Sequence, residues 1–232
     1  MGTQSSRPVQ GTIVTVHPWA TLGGGEHNTL NLAHHITRSE PKEGSGGWRA
    51  ITFTLNSTPL TRGGALWGFC SNHSYEVQQI VDVVNYVRDK FDEKNIVLFG
   101  SSAGAPQAGS AVAQLLKQQQ QQEGEEADNG SIIKAYIAVG YTFGNFAAIG
   151  FGRHFPNIVN SSLPKLFVMG DRDEFTSVEQ LQEMVEKMRA SSAGTRVDIE
   201  IVPNVGHFEL ESPSYDSAIA NMTIDWLEEV LR

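Results

Sequence analysis

The sequence predicts an α/β fold in which a mostly parallel sheet of six strands is flanked by helices. Three observations lead to this prediction: short runs of β-branched and apolar residues recur along the chain, amphipathic helical patterns separate them, and most of the runs are apolar on both faces. Strands that are apolar on both faces are typical of a sheet covered by helices on each side. Alternation of strand and helix favours parallel pairing with right-handed crossovers.

Each strand is predicted from one of these runs. In chain order they are Thr12–His17, Ala50–Leu55, Asn95–Phe99, Ile132–Val139, Lys165–Gly170 and Val197–Val202. Helices are predicted where apolar residues recur three and four positions apart. The clearest stripes run over Val77–Val87, Val178–Met188 and Ile219–Val230, and a weaker helix is predicted over Asn28–Arg38.

Length and composition favour one globular domain. The chain has 232 residues, of which 40% are apolar and 19% charged, and this is enough to bury a large core. We expect a flexible polar leader over residues 1–10 and a single domain over residues 11–232. Residues 117–130, a glutamine run followed by acidic and turn residues, are expected to extend a helix and to continue as a surface loop.

The charge and the cysteine content disfavour several classes of function. The 17 Lys and Arg residues against 26 Asp and Glu residues give a net charge of −9 without a basic stripe, which disfavours nucleic acid as a partner. No apolar run reaches the roughly 18 residues that a membrane-spanning helix needs. The single Cys70 and the lack of an apolar signal segment favour a cytoplasmic protein. Met1–Ser6 fits the spacing of an N-myristoylation signal on Gly2; a polar leader is the favoured interpretation, and one acyl chain would anchor the protein only weakly.

The motif that decides the chemistry is Gly100-Ser101-Ser102-Ala103-Gly104, which lies between a buried strand and a run of small residues that begins a helix. It satisfies G-x-S-x-G in the strand–turn–helix setting that a nucleophile elbow requires. Gly100 and Gly104 permit a close approach of the backbone that a Cβ atom would block. Ser102 is therefore the predicted nucleophile, and Ser101 is expected to point elsewhere. The alternative interpretation is a glycine-rich turn with a capping serine.

A serine hydroxyl reacts only when a base removes its proton, and the base in turn needs an orienting acid. An acidic loop follows the fifth predicted strand, and a Gly-His pair follows the sixth. Parallel sheets place their sites at the carboxyl ends of the strands, where these loops lie. We therefore predict His207 as the base and Asp173 as the acid, in preference to Asp171 and Glu174.

The other histidines receive structural interpretations. His17, at the end of the first strand, is predicted to be a buried imidazole bonded to backbone rather than a catalytic group. The remaining ones, expected to lie in solvated loops or on a helix surface, are His27, His34, His35, His73 and His154. No histidine–cysteine cluster has metal-ligand spacing, so we expect neither a metal nor another cofactor.

These loops resemble those of the α/β-hydrolase superfamily, and the resemblance covers nearly the whole chain. The Gly-x-x-Asp and Gly-His loops are similar to its acid and base loops, and the turn His17–Gly25 is similar to the HP…GG turn of small lidless esterases and dienelactone hydrolases. The resemblance implies an α/β-hydrolase fold with a minimal lid or none, with serine where dienelactone hydrolases use cysteine. It also implies an oxyanion hole formed by the backbone N–H groups of Trp19 and Ala103.

The expected activity is that of a serine hydrolase that cleaves an ester or thioester of a small acyl group through an acyl-enzyme intermediate. Only residues 140–163 separate the fourth and fifth predicted strands, which leaves room for one short helix and suits a small open site. The aromatic residues of this segment fit an acyl pocket and core packing equally: Tyr141, Phe143, Phe146, Phe151 and Phe155. The expected partner is a small ester or another acylated substrate; no feature indicates a protein partner.

Three other functions remain as alternatives. The first is a peptidase of the same fold, and the second is a non-catalytic protein that uses this fold for interaction. The third, a nucleotide-binding protein, is disfavoured because Gly23–Gly25 lacks the Lys-Ser/Thr pair that completes a phosphate-binding loop.

Overall fold

Strands and helices alternate along the part of the chain that the structure, a computed structural model, describes. The described residues are 9–18, 24–39, 46–58, 61–62, 74–123, 131–144, 148, 150–192 and 194–231.

The main sheet is built from six of the described strands. They are β1 (Val9–Val16), β2 (Gly47–Thr52), β5 (Ile96–Ser101), β6 (Ile133–Val139), β7 (Lys165–Gly170) and β8 (Val197–Val202). All neighbouring pairs run parallel, in the order β2-β1-β5-β6-β7-β8. Two short strands, β3 (Asn56–Thr58) and β4 (Thr61–Arg62), form a separate antiparallel pair. The predicted six-stranded parallel sheet is confirmed.

Helices cover both faces of this sheet. Those among the described residues are α1 (Glu26–Arg38), α2 (Ser74–Phe91), α3 (Gly104–Glu123), α4 (Phe155–Val159), α5 (Val178–Ser191), α6 (His207–Leu210) and α7 (Asp216–Val230). Apolar residues of α2, α3 and α5 form one buried cluster with one face of the sheet, and those of α1 and α7 form a second cluster with the other face. None of the described helices is both long and apolar enough to span a membrane.

The amphipathic stripes predicted from the sequence are the contact surfaces of these helices. On α2, Ile80, Val81, Val84 and Val87 are fully buried against the sheet. Burying an aliphatic side chain contributes roughly 1.5–3 kcal/mol, so one such stripe is enough to fix a helix against its strands. The helix is therefore held mainly by packing rather than by its intrinsic propensity.

Several predicted boundaries differ from the structure. β1 begins at Val9, within the expected leader, and the shift of register between Val9 and Gly11 lets it pair with β2 from Gly47 onward. β2 accordingly covers Gly47–Thr52 rather than the predicted residues 50–55. The glutamine run up to Glu123 belongs to α3, and residues 124–130 of the expected surface loop lie outside the described residues.

The register of the sheet brings the carboxyl ends of β5 and β6 level with each other, and likewise those of β7 and β8. Ser101 at the end of β5 pairs with Val139 of β6, and Gly170 at the end of β7 pairs with Val202 of β8. The loops that follow these strands therefore leave the sheet at one edge. This edge is where ligands bind in open parallel sheets.

At the opposite end of β7, Lys165 is an ionisable side chain with no exposed surface. Its ammonium group donates hydrogen bonds to the carbonyl oxygens of Ser161 and Leu163, at 2.5 and 3.0 Å. Burial lowers the pKa of Lys165 from its ordinary 10.5 to about 8. The unfolded chain therefore binds more protons than the folded chain between about pH 8 and 10.5, so this group makes stability rise with pH across that window.

We expect Lys165→Met to remove this rise in stability. The free energy of unfolding of wild type relative to the variant should increase by about 2–3 kcal/mol from pH 8 to 10.5, because each pKa unit corresponds to about 1.4 kcal/mol. Urea denaturation at several pH values measures it. The buried Tyr136 and Tyr141, whose pKa values burial raises well above 10, contribute equally to both proteins. The exposed Lys90→Met is the control, and a constant difference between wild type and Lys165→Met would contradict the prediction.

Candidate active site

The turn after β5 holds Ser102 in a backbone conformation that residues other than glycine rarely adopt. Its φ angle is 48°, in the left-handed region. The Ser102 N–H donates to the carbonyl of Val139 at 2.8 Å, and the Ser102 carbonyl accepts from the N–H of Ala105 at 3.0 Å. The second of these bonds begins α3. Hydrogen bonds on both sides of the residue hold it in this conformation.

The glycines of the motif are required by close backbone contacts. A Cβ atom on Gly100 would collide with the backbone of Ala105. A Cβ atom on Gly104 would lie 2.5 Å from the carbonyl oxygen of His17 and 2.6 Å from that of Val16. The strand and helix on either side of Ser102 therefore approach each other as only glycine allows. The strand–turn–helix setting predicted for this motif is present.

Three of the predicted site residues form one hydrogen-bonded chain at this edge of the sheet. Ser102 Oγ lies 2.7 Å from His207 Nε2, and His207 Nδ1 lies 2.6 Å from Asp173 Oδ2. The side chains of His207 and Asp173 are 1% and 0% exposed, and Ser102 is 9% exposed. A buried carboxylate on Nδ1 favours the tautomer that carries its proton there, which leaves Nε2 free to accept from the serine.

The loop after β7 fixes the position of Asp173. Its other oxygen, Oδ1, accepts the backbone N–H groups of Phe175 and Thr176, at 2.8 and 2.9 Å. The neighbouring acids have different partners: Asp171 accepts the N–H of Asn204, and Glu174 accepts the backbone N–H of His207. Of the three candidate acids, the one whose carboxylate contacts the imidazole ring is therefore Asp173.

Three further residues restrict the imidazole ring of His207. Gly140, with a φ angle of 58°, lies so close that a Cβ atom there would be 3.0 Å from the ring carbon Cε1. The ring of Phe175 packs edge-on against it with a centroid distance of 4.6 Å. The ring of Phe208, which is half exposed, lies on it in the same manner at 5.4 Å. These three residues therefore restrict the orientation of the imidazole ring by packing against it rather than by hydrogen bonds.

Glu211 is a polar residue of this site that the sequence analysis did not predict. Its Oε1 accepts the hydroxyl of Ser101 at 3.0 Å and lies 3.8 Å from His207 Nε2. The hydroxyl of Ser101 therefore points toward a buried carboxylate that lies beside His207. The only signal in the sequence is the spacing of four residues from His207, which places both on one face if the segment is helical.

Burial and the neighbouring charges act in opposite directions on the pKa of His207. Burial of the ring lowers this pKa, whereas the hydrogen bond and charge of Asp173 and the charges of Glu211 and Glu174 raise it. The net result is a His207 pKa above its ordinary 6.5. Burial also raises the pKa of Glu211, and the charge of His207 together with the hydroxyls of Ser101 and Ser102 partly counteracts this rise.

Of the two backbone donors predicted for an oxyanion hole, Ala103 belongs to the described part of the chain. Ala103 follows Ser102 directly, is 4% exposed and packs against Phe151 and Phe155. Trp19 lies outside the described residues.

The aromatic residues of the β6–β7 connection divide into two groups. Tyr141 and Phe143 stack with a centroid distance of 3.9 Å and pack on Phe167 of β7, so they belong to the core. Phe151 instead contacts Ala103 beside Ser102. Phe146 lies outside the described residues. Among its described residues the connection contributes helical residues at 148, 150 and 151, one turn of 3₁₀ helix over Gly152–His154, and α4, which is more than the one short helix predicted there.

Two histidines outside this chain of contacts, His17 and His154, are buried. The prediction for His17 is confirmed: its ring is buried, Nδ1 lies 2.7 Å from the Pro18 carbonyl oxygen, and Nε2 accepts the N–H of Leu55 at 3.0 Å. The prediction that His154 is solvated was wrong. It is buried, with Nδ1 2.6 Å from the hydroxyl of Ser110, because the turn before α4 packs against α3. Within the described part of the chain, no group of three or more His, Cys, Asp or Glu residues could hold a metal ion.

The fold is shared with solved α/β hydrolases. A lidless α/β serine hydrolase from Xanthomonas campestris matches with a TM-score of 0.63 and 18% identity, over 96% of this chain and 84% of its own. A Pyrococcus furiosus esterase matches with a TM-score of 0.64 and 14% identity, over 98% and 84%. A dienelactone hydrolase from Anabaena variabilis matches with a TM-score of 0.64 and 14% identity, over 97% and 88%.

The sequence itself identifies the family. No curated protein sequence matches the chain. The family described as Serine hydrolase (FSH1) matches residues 37–202, more than two thirds of the chain. The matched region contains Ser102 and Asp173 and ends shortly before His207. The chain therefore belongs to the FSH1 serine hydrolase family, and it is a serine hydrolase with the α/β-hydrolase fold.

Proposed function

We propose that this hydrolase cleaves an ester or thioester of a small acyl group through a covalent acyl-enzyme intermediate on Ser102. The observation that carries the proposal is the buried chain of hydrogen bonds from Ser102 through His207 to Asp173, at 2.7 and 2.6 Å. A hydroxyl in this arrangement can lose its proton to Nε2 as it attacks a carbonyl carbon.

The acylation step follows from these contacts. Ser102 Oγ forms a bond to the carbonyl carbon of the substrate while its proton passes to His207 Nε2. The negative charge that develops on the carbonyl oxygen is stabilised by the N–H of Ala103 and, as the resemblance implies, by that of Trp19. Each such donor contributes about 3–4 kcal/mol in comparable sites. The bond to the leaving group then breaks, and the leaving group takes the proton from Nε2.

Deacylation repeats the same chemistry with water. His207 Nε2 accepts a proton from the water as its oxygen attacks the acyl carbon, and the proton returns to Ser102 Oγ as the acyl group departs as an acid. Asp173 stays ionised and stabilises the imidazolium in both halves of the cycle. Every step uses groups of this chain and water alone.

The preference for a small acyl group rests on the residues beside Ser102. The ring of Phe151 packs against Ala103, the residue that follows Ser102. A rigid aromatic ring at this position limits the length of the acyl chain that can lie along it. The lidless and esterase neighbours are consistent with this choice of substrate class.

The test is a series of p-nitrophenyl esters and acyl thioesters from acetyl to dodecanoyl, with aminoacyl p-nitroanilides for peptidase activity. We expect the highest kcat/KM for short acyl groups. Phe151→Ala should raise the ratio of decanoyl to butyryl kcat/KM by about tenfold or more, because each methylene accommodated in an apolar pocket contributes about 1–3 kcal/mol.

Tyr86→Ala, which removes an exposed aromatic of α2, is the matched control and should leave this ratio unchanged. Faster cleavage of the anilides would assign a peptidase instead. A folded wild type that neither turns over any ester nor reacts with a fluorophosphonate probe would favour an interaction protein.

A further inference from the structure

Glu211 contacts the site from the side opposite Asp173. It follows α6, four residues after His207, so that the helical turn brings its carboxylate back toward the ring. Oε1 lies 3.8 Å from Nε2 and is held by the hydroxyl of Ser101 at 3.0 Å, and the side chain is only 7% exposed. A buried carboxylate fixed this close to the reacting nitrogen requires an explanation, because burying a charge costs free energy unless it is paired.

We propose that Glu211, held in place by Ser101, is a positioning residue that stabilises the protonated form of His207 from its Nε2 side and so sets the pH range in which the site reacts. The proposal rests on the function proposed above, in which Nε2 receives the proton of Ser102. At 3.8 Å the carboxylate is too distant for a hydrogen bond but close enough for a strong charge–charge interaction. The imidazolium then lies between two carboxylates, Asp173 on Nδ1 and Glu211 near Nε2.

The groups that face His207 support an electrostatic role. From the loop after β7, Asp173 contacts Nδ1 and Glu174 accepts the backbone N–H of His207. From the end of β5, the facing groups are the hydroxyls of Ser101 and Ser102, which carry no charge. Of the charged groups that act on the His207 pKa, Glu211 is the one on the Nε2 side. Its removal therefore changes the field at the atom that exchanges protons while leaving the bond to Asp173 in place.

A more stable imidazolium makes His207 a stronger base toward Ser102, and it moves the acid limb of the pH profile to higher pH. We therefore expect Glu211→Gln, which keeps the size of the side chain and an acceptor for Ser101, to lower the apparent pKa of this limb in kcat/KM. The expected decrease is about half a pH unit or more, since an opposite charge within about 4–6 Å shifts a pKa by up to several units. As a fraction of its own plateau, the variant should be more active than wild type at the acid end.

Three further variants test whether the charge of Glu211 is responsible. Glu211→Asp retains the charge, so its apparent pKa should remain above that of Glu211→Gln. Glu209→Gln removes one carboxylate from an exposed position of the same short helix and should leave the profile of wild type unchanged. Ser101→Ala removes the hydrogen bond that holds the carboxylate of Glu211, so it should also lower the apparent pKa of the acid limb. Melting curves establish that each variant is folded.

A second measurement distinguishes failure of this inference from failure of the proposed function. In a Ser102→Ala background, the imidazole of His207 is titrated by NMR with and without Glu211→Gln. A lower pKa in the second protein supports the role of Glu211 even if no substrate is turned over. Equal pKa values, or coincident pH–rate profiles of active wild type and Glu211→Gln, would overturn the inference while leaving the hydrolase proposal intact.

Discussion

Ser102→Ala is expected to lower kcat/KM by at least about 10⁴-fold and to abolish covalent labelling by a fluorophosphonate. The hydroxyl is the only atom group removed, and without it no acyl-enzyme can form; the activity that remains comes from binding and from the oxyanion donors. Because the left-handed backbone of residue 102 is unfavourable for alanine as well as for serine, we expect little change in stability. Initial rates on the best ester and labelling of the folded protein measure the effect.

The chain contains a matched control for this experiment. Ser110, two turns further along α3, also pairs with a histidine: its hydroxyl lies 2.6 Å from His154 Nδ1 and accepts from Asn157 at 2.8 Å. Ser110→Ala should keep its activity within a few-fold of wild type and should still label at Ser102. If Ser110→Ala lost labelling while Ser102→Ala kept it, the nucleophile would have been assigned to the wrong serine.

Asp173→Asn is expected to reduce kcat by about 10⁴-fold, the effect measured for the corresponding change in a serine protease triad. The amide of the new side chain would present a donor to Nδ1 and so favour the tautomer whose proton is on Nε2, where the hydroxyl of Ser102 needs an acceptor. Since asparagine keeps an oxygen for the N–H groups of Phe175 and Thr176, the loop itself should retain its shape. Steady-state rates measure the loss of activity, and a melting curve shows whether the variant is still folded.

The control for Asp173→Asn is a substitution of Asp171 in the same loop. Asp171 also binds a backbone N–H, that of Asn204, but it does not contact the imidazole in the structure. Asp171→Asn should therefore keep kcat within about threefold of wild type, as expected for a surface change outside the site. A loss below tenfold for Asp173→Asn would mean that Glu211 or Glu174 can orient His207 in its place.

The site residues in the loops after the strands could be predicted from the sequence, because the carboxyl ends of parallel strands lie at the same edge of the sheet. β7 and β8 begin and end as predicted, and the loops that follow them lead to Asp173 and His207. β2 was displaced by three residues because an edge strand takes its register from its single partner, β1. Leu55, counted as strand in the prediction, instead donates its N–H to His17. That contact depends on two loops that sequence periodicity does not describe.

Buried polar residues outside the strand ends were not predictable in the same way. Glu211 lies in a segment rich in acidic and turn residues, a composition that is typical of a solvated surface. Its burial arises only in the folded chain, where the turn after α6 brings the carboxylate to Ser101 at the end of β5. His154 is comparable, since a solvated loop was predicted and the contact of the following turn with α3 buries it. In both residues the tertiary contact, rather than the local pattern, determines the environment.

The backbone of Ser102, the proposed nucleophile, is held by main-chain hydrogen bonds to Val139 of the sheet and Ala105 of the adjoining helix. The free energy needed to hold residue 102 in its left-handed conformation is therefore supplied when the chain folds, and substrate binding does not have to supply it. Surface segments that do not contribute to these bonds can then vary in sequence and length without moving the backbone of Ser102. A scaffold of this kind can acquire new substrates by exchange of its outer segments while the chemistry beneath them stays the same.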